Sequence, residues 1–209
     1  MIKILIADDH SIVRRGLHQI LLEGFPNAHI GEVSDAEELI KQVMAEPWDV
    51  VISDLSMPGR SGLDALIQIK QIAPKLPVLI LSIHPEEQYA VRSLKAGASG
   101  YLSKDLAPDE LVIAVQRVML GKKYITASIA EKLASFLEND SNKPIHEYLS
   151  DREFSVLKYI AAGKTVSEIA EILFLSVTTV STYRSRILAK MNMKTNSDLT
   201  VYAIEHKLL

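Results

Sequence analysis

From Lys3 to Leu120 short β-branched apolar runs alternate with stretches of helical period, and after Gly121 the alternation stops. A chain patterned this way has few architectures open to it. Strand and helix taken in turn demand a parallel sheet with helices on both faces, joined by right-handed crossovers. The strand runs are 3–7, 28–33, 50–53, 78–81 and 100–102. Val50-Val51-Ile52 and Val78-Leu79-Ile80-Leu81 are apolar on both faces, as strands between two helix layers must be. Helical periods fall between them at 13–22, 36–44, 63–72 and 90–96, and again at 111–120. Ser34 with Glu37 has capping-box spacing, and Pro108 suits a first helical turn. Residues 1–121 are therefore predicted to form a doubly wound α/β domain with five strands, the second being the least regular.

Beyond it the chain reads differently. Residues 122–146 form a linker containing one apolar helix, about 128–137, and the polar run Glu138-Asn139-Asp140-Ser141-Asn142-Lys143-Pro144. From Leu149 onward every apolar stretch has helical period. Ser150 with Glu153 and Thr165 with Glu168 are capping-box pairs, Ser176 can cap the next helix, and breaks fall at Gly163, Leu175 and Lys194. Residues 147–209 are thus predicted to be a second, all-α domain of four short helices.

Bulk properties remove several classes of function. The chain has no cysteine, which excludes disulfides, thiolate chemistry and Cys-ligated zinc. No uninterrupted apolar run approaches the roughly 20 residues of a membrane span, and the start shows no signal-peptide pattern. No membrane association is expected, and a cytoplasmic location is. The formal net charge of -3 announces no nucleic-acid partner. Its distribution is more informative: residues 1–143 hold 15 Lys/Arg against 19 Asp/Glu, and residues 144–209 hold 8 against 7. The small domain is the less acidic half, as a nucleic-acid module would be.

In an open parallel sheet the active crevice lies at the carboxyl ends of the strands. The residues there are Asp8 and Asp9, Asp54, Ser82 and Lys104, each following an apolar strand. Any one of them is unremarkable decoration; all five in register are not. Three converging carboxylates repel unless a divalent cation neutralises them, and an all-oxygen site suits Mg²⁺. Lysine and a hydroxyl supply donors for phosphoryl oxygens.

This set, with the loop Asp54-Leu55-Ser56-Met57-Pro58-Gly59 and its continuation Ser61-Gly62-Leu63, resembles the receiver domain of two-component signalling over residues 2–120. The resemblance implies a flavodoxin-like sheet of order 2-1-3-4-5. It implies Mg²⁺ at Asp8, Asp9 and Asp54, and phosphoryl transfer to Asp54 from a sensor histidine kinase. Ser82 and Lys104 match the family's phosphoryl-directed hydroxyl and lysine, and Tyr101 its switch aromatic. On the residues alone Tyr101 would be a partly exposed strand aromatic. Ser56 and His84 fall on positions that tune dephosphorylation in the family. His84 reads equally as a surface residue at a helix start. Ile83 stands where receivers usually have a small residue and would screen an acyl phosphate from water.

The stretch 177–191 carries Thr178, Thr179, Ser181, Thr182, Tyr183, Arg184, Ser185, Arg186 and Lys190 around the apolar positions Val180, Ile187, Leu188 and Met191. Hydroxyls and cations on one face suit a helix entering the major groove of double-stranded DNA, though cations on a solvent face are commonplace. Leu149-Ser150-Asp151-Arg152-Glu153, Val156-Leu157, Ala162-Gly163, Glu168-Ile169-Ala170, Leu175-Ser176, Thr179-Val180 and Ile187 resemble the LuxR-type helix-turn-helix domain. With the receiver, the whole chain resembles the NarL/FixJ family. The resemblance makes 166–173 the scaffold helix, 177–190 the recognition helix and 197–207 the dimer helix, with Leu199 and Ala203 as dimer contacts. Ser181 stands where the family usually has lysine, and Val166-Ser167 where it often has Asn-Lys.

The expected function is a transcriptional response regulator. Phosphorylation at Asp54 would free the recognition helix and permit a homodimer on paired operator half-sites, acting on the transcription machinery. It is not expected to be an enzyme in the ordinary sense, beyond catalysing its own phosphorylation and dephosphorylation. Two other readings stay open on the residues: a phosphorylation-insensitive DNA-binding protein with a receiver fold, and a Mg²⁺-dependent phosphohydrolase.

Overall fold

The computed structural model describes residues 1–84, 86–131 and 144–209. The expected linker helix beyond residue 131, and the polar run up to Lys143, lie outside the described residues. The chain divides into two compact units, Met1–Ser135 and Phe136–Leu209.

The first unit is a five-stranded parallel sheet of order β2-β1-β3-β4-β5, with β1 Lys3–Ala7, β2 His29–Val33, β3 Val50–Asp54, β4 Val78–Ser82 and β5 Gly100–Ser103. Its helices are α1 Ser11–Gly24, α2 Ala36–Ala45, α3 Gly62–Ile72, α4 Glu86–Lys95 and α5 Ala107–Met119. β3 and β4 are buried along their whole length, which is why they read as continuous apolar runs. Side chains alternate across the sheet. Ile4, Ile6, Val50, Ile52, Leu79 and Leu81 pack with Leu17 and Leu21 of α1 and with Leu111, Val115 and Val118 of α5.

Two local departures from the sequence reading have clear causes. The cap of α2 is Asp35, whose side chain accepts from the Glu38 amide, so the cap lies one residue beyond Ser34 and the expected Ser34/Glu37 box does not form. β2 reads poorly because Gly31 interrupts it. A Cβ there would lie 2.4 Å from Cη2 of Trp48, whose indole N–H donates to the Gln42 carbonyl, so the glycine makes room for a buried tryptophan.

The α/β unit also extends past Gly121. Tyr124 takes a rung beside β5: its amide donates to the Ser99 carbonyl and its own carbonyl accepts from the Tyr101 amide. A Cβ on Gly100 would lie 2.7 Å from that Tyr124 carbonyl oxygen. Tyr124 joins the core, and Ile129, in the short helical stretch 127–131, is buried as well. The first half of the expected linker therefore belongs to the sheet domain.

In the second unit, a 3-10 turn Ile145–Tyr148 precedes α6 Asp151–Ala161, α7 Val166–Ile172, α8 Val177–Lys190 and α9 Asn196–Glu205. The boxes Ser150/Glu153 and Thr165/Glu168 form as expected, and a third, Thr195/Asp198, starts α9. Phe174 adopts φ 54 between α7 and α8, and the Leu175 amide returns to the Ala170 carbonyl, ending α7 abruptly. Phe154, Leu157, Ile169, Val180, Ile187, Leu199 and Ala203 fill the core. Among the described residues no helix is long and apolar enough to cross a membrane.

Candidate functional site

Sheet register assembles the acidic site. Ala7 lies opposite Ser53, Asp54 opposite Leu81 and Ser82 opposite Ser103, so Asp8, Asp54, Ser82 and Lys104 emerge side by side at the carboxyl end of the sheet. Asp8 is 1% exposed and Asp54 3%. The Lys104 ammonium spans them, 2.6 Å from Asp8 Oδ2 and 3.0 Å from Asp54 Oδ2. Asp54 Oδ1 is buried and has no hydrogen-bond partner among the described residues. Burial pushes the Asp54 carboxyl above its ordinary range, and Lys104 only partly offsets that. Burial also opposes the charge on Lys104, yet the two carboxylates outweigh it and hold the lysine above its usual value.

Gly62 holds the loop after Asp54 in place. Its amide donates to the Leu55 carbonyl, and a Cβ there would fall 1.8 Å from the Asp54 carbonyl oxygen, so no other residue fits this backbone. Gly59 turns the loop with φ +72.

Two residues missed in the sequence complete the pocket. His10 places Nδ1 2.7 Å from Asp9 Oδ1, and Asp8, Asp9, His10 and Asp54 each offer a ligand atom within 4.8 Å of the others. Arg14 donates to the Asp8 carbonyl at 2.6 Å. Adjacency to the Asp pair was the signal for His10; Arg14, a helical turn further, carried none.

The loop after β4 is tied across the mouth of the site. The Ser82 hydroxyl accepts from the His84 amide at 3.0 Å, while His84 Nε2 lies 2.8 Å from Ser56 Oγ. The His84 ring also stacks on Tyr89 at 4.8 Å. Tyr101 is not partly exposed. It is fully buried and donates its hydroxyl to the His84 carbonyl at 2.9 Å, because α4 and the loop after β4 cover that face of β5. Ile83 stands 69% exposed.

In the small domain, α8 buries Val180 and Ile187 and turns Thr178, Ser181, Thr182, Ser185 and Arg186 to solvent. Thr179 serves the cap, its Oγ1 2.7 Å from Ser176 Oγ, and Thr182 donates back to the Thr178 carbonyl. Tyr183 and Arg184 are half-buried, and Arg184 Nε donates to Asn196 Oδ1 at 2.6 Å. Arg186 makes no ion pair or hydrogen bond among the described residues.

Lys190, expected among the DNA-binding residues, is exposed, and its ammonium lies 2.6 Å from Oε2 of Glu153, a carboxylate only 3% exposed. One expectation needs correction. Leu199 and Ala203 were expected at a dimer contact, yet both are fully buried against the domain's own core, because α9 packs that side on α6. Val201 and Ile204, 54% and 61% exposed, form the outward apolar side of α9.

Comparison with known proteins gives the same two parts. Residues 4–116 match the response regulator receiver domain, and residues 147–203 match the bacterial regulatory proteins of the luxR family. The chain belongs to the response regulators of the NarL/FixJ family, a receiver joined to a LuxR-type helix-turn-helix domain. It is 38% identical to the response regulator UvrY of Escherichia coli K12 over 209 residues, covering all of this chain and 96% of that one. The oxygen regulatory protein NreC of Staphylococcus carnosus is also 38% identical, with 99% of each chain covered. Among solved structures, RcsB of Salmonella enterica serovar Typhimurium, bound to promoter rprA with the phosphomimetic BeF3⁻, aligns with TM-score 0.63 and 28% identity over 97% of this chain and 98% of that one.

Proposed function

We propose that Asp54 accepts a phosphoryl group from a sensor histidine kinase and that this acceptance governs binding of operator DNA by α8. The observation that carries the reading is the pairing of Lys104 with both Asp8 and Asp54 while Asp54 Oδ1 is buried without a hydrogen-bond partner among the described residues. In the transfer, an Asp54 carboxylate oxygen forms the new bond to phosphorus as the bond from phosphorus to the donor's imidazole nitrogen breaks. Lys104 stays beside the product, where its charge serves the added phosphoryl oxygens. Ser82 leaves the His84 amide to donate to one of them, and Tyr101 rearranges with the loop it holds. The same groups support self-catalysed phosphorylation from small donors and dephosphorylation, tuned by Ser56, Ile83 and His84.

The donor set fits Mg²⁺: three aspartates supply hard oxygen ligands, and the unpartnered Asp54 oxygen points among them. Asp8, Asp9 and Asp54 would hold it, with His10 at the rim. When bound, the ion neutralises the carboxylates and draws a phosphoryl oxygen into place.

Thr178, Ser181, Thr182 and Arg186 are the exposed groups offered to DNA, and Tyr183, Arg184 and Thr179 support the helix that presents them. Homodimerisation on paired half-sites would use Val201 and Ile204 on α9, and the bound dimer would act on the transcription machinery in the cytoplasm. Incubation with acetyl phosphate tests the core of this reading. Stoichiometric, Mg²⁺-dependent labelling mapped to Asp54 supports it; donor turnover that persists in Asp54→Ala, or undiminished labelling of that variant, overturns it.

A further inference from the structure

At the other end of the sheet from Asp54 the receiver carries a second cavity that phosphoryl transfer does not use. It has a volume of about 380 Å³ and is lined by residues at three chain reversals: Lys70 in the last turn of α3 with Pro74 and Lys75 beyond it, Gly97 and Ser99 between α4 and β5, and Gly121, Lys122 and Lys123 after α5. Four lysines contribute to this lining and no carboxylate does.

Two of the lysines are tethered to the backbone around the cavity, while Lys75 and Lys122 are exposed beside them. Lys70 donates to the Leu76 carbonyl at 2.6 Å, and Lys123 donates to the Ala98 carbonyl. Both acceptors are neutral. Burial lowers the pKa of both amines, and the charge of Lys123 lowers that of Lys70 further, so the two ammonium groups lie close enough to repel. Gly97, at φ +104, brings the backbone to the stem of Lys70, where a Cβ would lie 3.1 Å from Cγ. Gly121, at φ +74, ends α5 and turns Lys122 and Lys123 towards the cavity.

The plain alternative is that lysines sit here to serve the carboxyl ends of helices. Three helices end at this cavity, each carrying roughly half a negative charge over its last turn, so together they offset less than half of the four cations. A net positive, concave site remains, with the Ser99 hydroxyl making no hydrogen bond among the described residues. We propose that this cavity binds a small polyvalent anion of the phosphate class, held by the half-buried Lys70 and the exposed Lys75, Lys122 and Lys123 around it. The concavity favours a compact ligand over the flat backbone of a duplex, which would need cations spread along a surface.

The test uses the full chain and ¹⁵N NMR at fixed ionic strength. Inorganic phosphate, pyrophosphate and a nucleoside triphosphate are titrated separately, which distinguishes free inorganic anions from a phosphorylated metabolite. The expected result is saturable shifts at the amides of Gly97, Ser99, Lys122 and Lys123, with pyrophosphate tighter than phosphate. A Lys70→Gln/Lys123→Gln variant should bind about tenfold more weakly or worse, while still labelling at Asp54. Should that variant fail to fold, the wild type gives an independent reading: pyrophosphate must protect Lys70 and Lys123 from acylation by an activated ester, mapped by peptide mass. Equal shifts from chloride at the same ionic strength would reduce the effect to screening and overturn the proposal. So would shifts produced by a DNA duplex and not by pyrophosphate, or an absence of protection.

Discussion

Lys190 and Glu153 join the C-terminal end of the recognition helix to the first turn of α6 through a 2.6 Å ion pair whose acidic half is buried. Glu153 is also the reciprocal cap of its own helix, accepting from the Ser150 amide at 2.7 Å. One carboxylate thus fixes a helix start and the angle at which another helix is held.

Lys190→Ala should therefore act on stability before it acts on DNA. The expected loss is about 1–2 kcal/mol, the low part of the range for unpairing a buried acceptor, since the lysine itself is 42% exposed. Burial raises the Glu153 pKa, but Lys190 and Ser150 outweigh it, leaving the group below its ordinary 4.5. A carboxyl lowered by folding contributes stability that is full above its unfolded pKa and is lost as pH falls through the folded value. Without Lys190 that contribution is missing at neutral pH, so the deficit of the variant should be full at pH 7 and shrink as pH falls through the folded pKa of Glu153. Thermal melts from pH 7 down to pH 3 check this; no deficit at pH 7, or one that stays constant down to pH 3, would show that the pair contributes nothing.

Lys104→Gln should shift the pH dependence of labelling. Burial already holds the Asp54 carboxyl high, and Lys104 is the largest influence lowering it. Without that charge the carboxylate forms only at higher pH, so the midpoint of the labelling rate, measured with acetyl phosphate at saturating Mg²⁺, should move upward. A midpoint that stays put, with only the maximum rate reduced, would mean that Lys104 serves the phosphoryl group alone.

The Ser56–His84 contact crosses the mouth of the site at 2.8 Å. Ser56→Ala and His84→Ala should each shorten the lifetime of the aspartyl phosphate by admitting water, and the double variant should be no faster than either single one. Decay followed after removal of the donor provides the measurement. Additive effects would mean that the two side chains act separately.

On DNA, Arg186 and Thr182 should part company. Arg186→Ala is expected to weaken specific and scrambled duplexes alike and to reduce the salt slope by about one, as loss of a phosphate contact does. Thr182→Ala should cost roughly 1–3 kcal/mol on the preferred site only. Binding across a salt series decides, and reversed behaviour would mean that α8 sits in the groove at another depth.

Strand and helix order could be read from the sequence because buried parallel strands leave no polar positions, and because capping boxes such as Thr165/Glu168 are local chemistry. The five pocket residues were legible for a related reason: each stands at or just beyond the carboxyl end of its strand. What stayed hidden depends on contacts remote in sequence. Nothing in the α8 pattern showed that Lys190 reaches Glu153, 37 residues earlier. The resemblance assigned Leu199 and Ala203 to a dimer contact, but could not say that they occupy the inward face of α9. Tyr101 looked exposed because the loop that buries it is itself fixed by His84.

The rung that Tyr124 adds beside β5 bears on where this protein can be cut. A fragment ending at Gly121 would leave β5 as a bare flank of unpaired amide and carbonyl groups, an open template for another chain. It would also lose a tyrosine from the core. A receiver fragment that keeps residues up to 131 retains that cover. Truncations on either side of Tyr124 should therefore differ sharply in solubility, although the Asp54 pocket is complete in both.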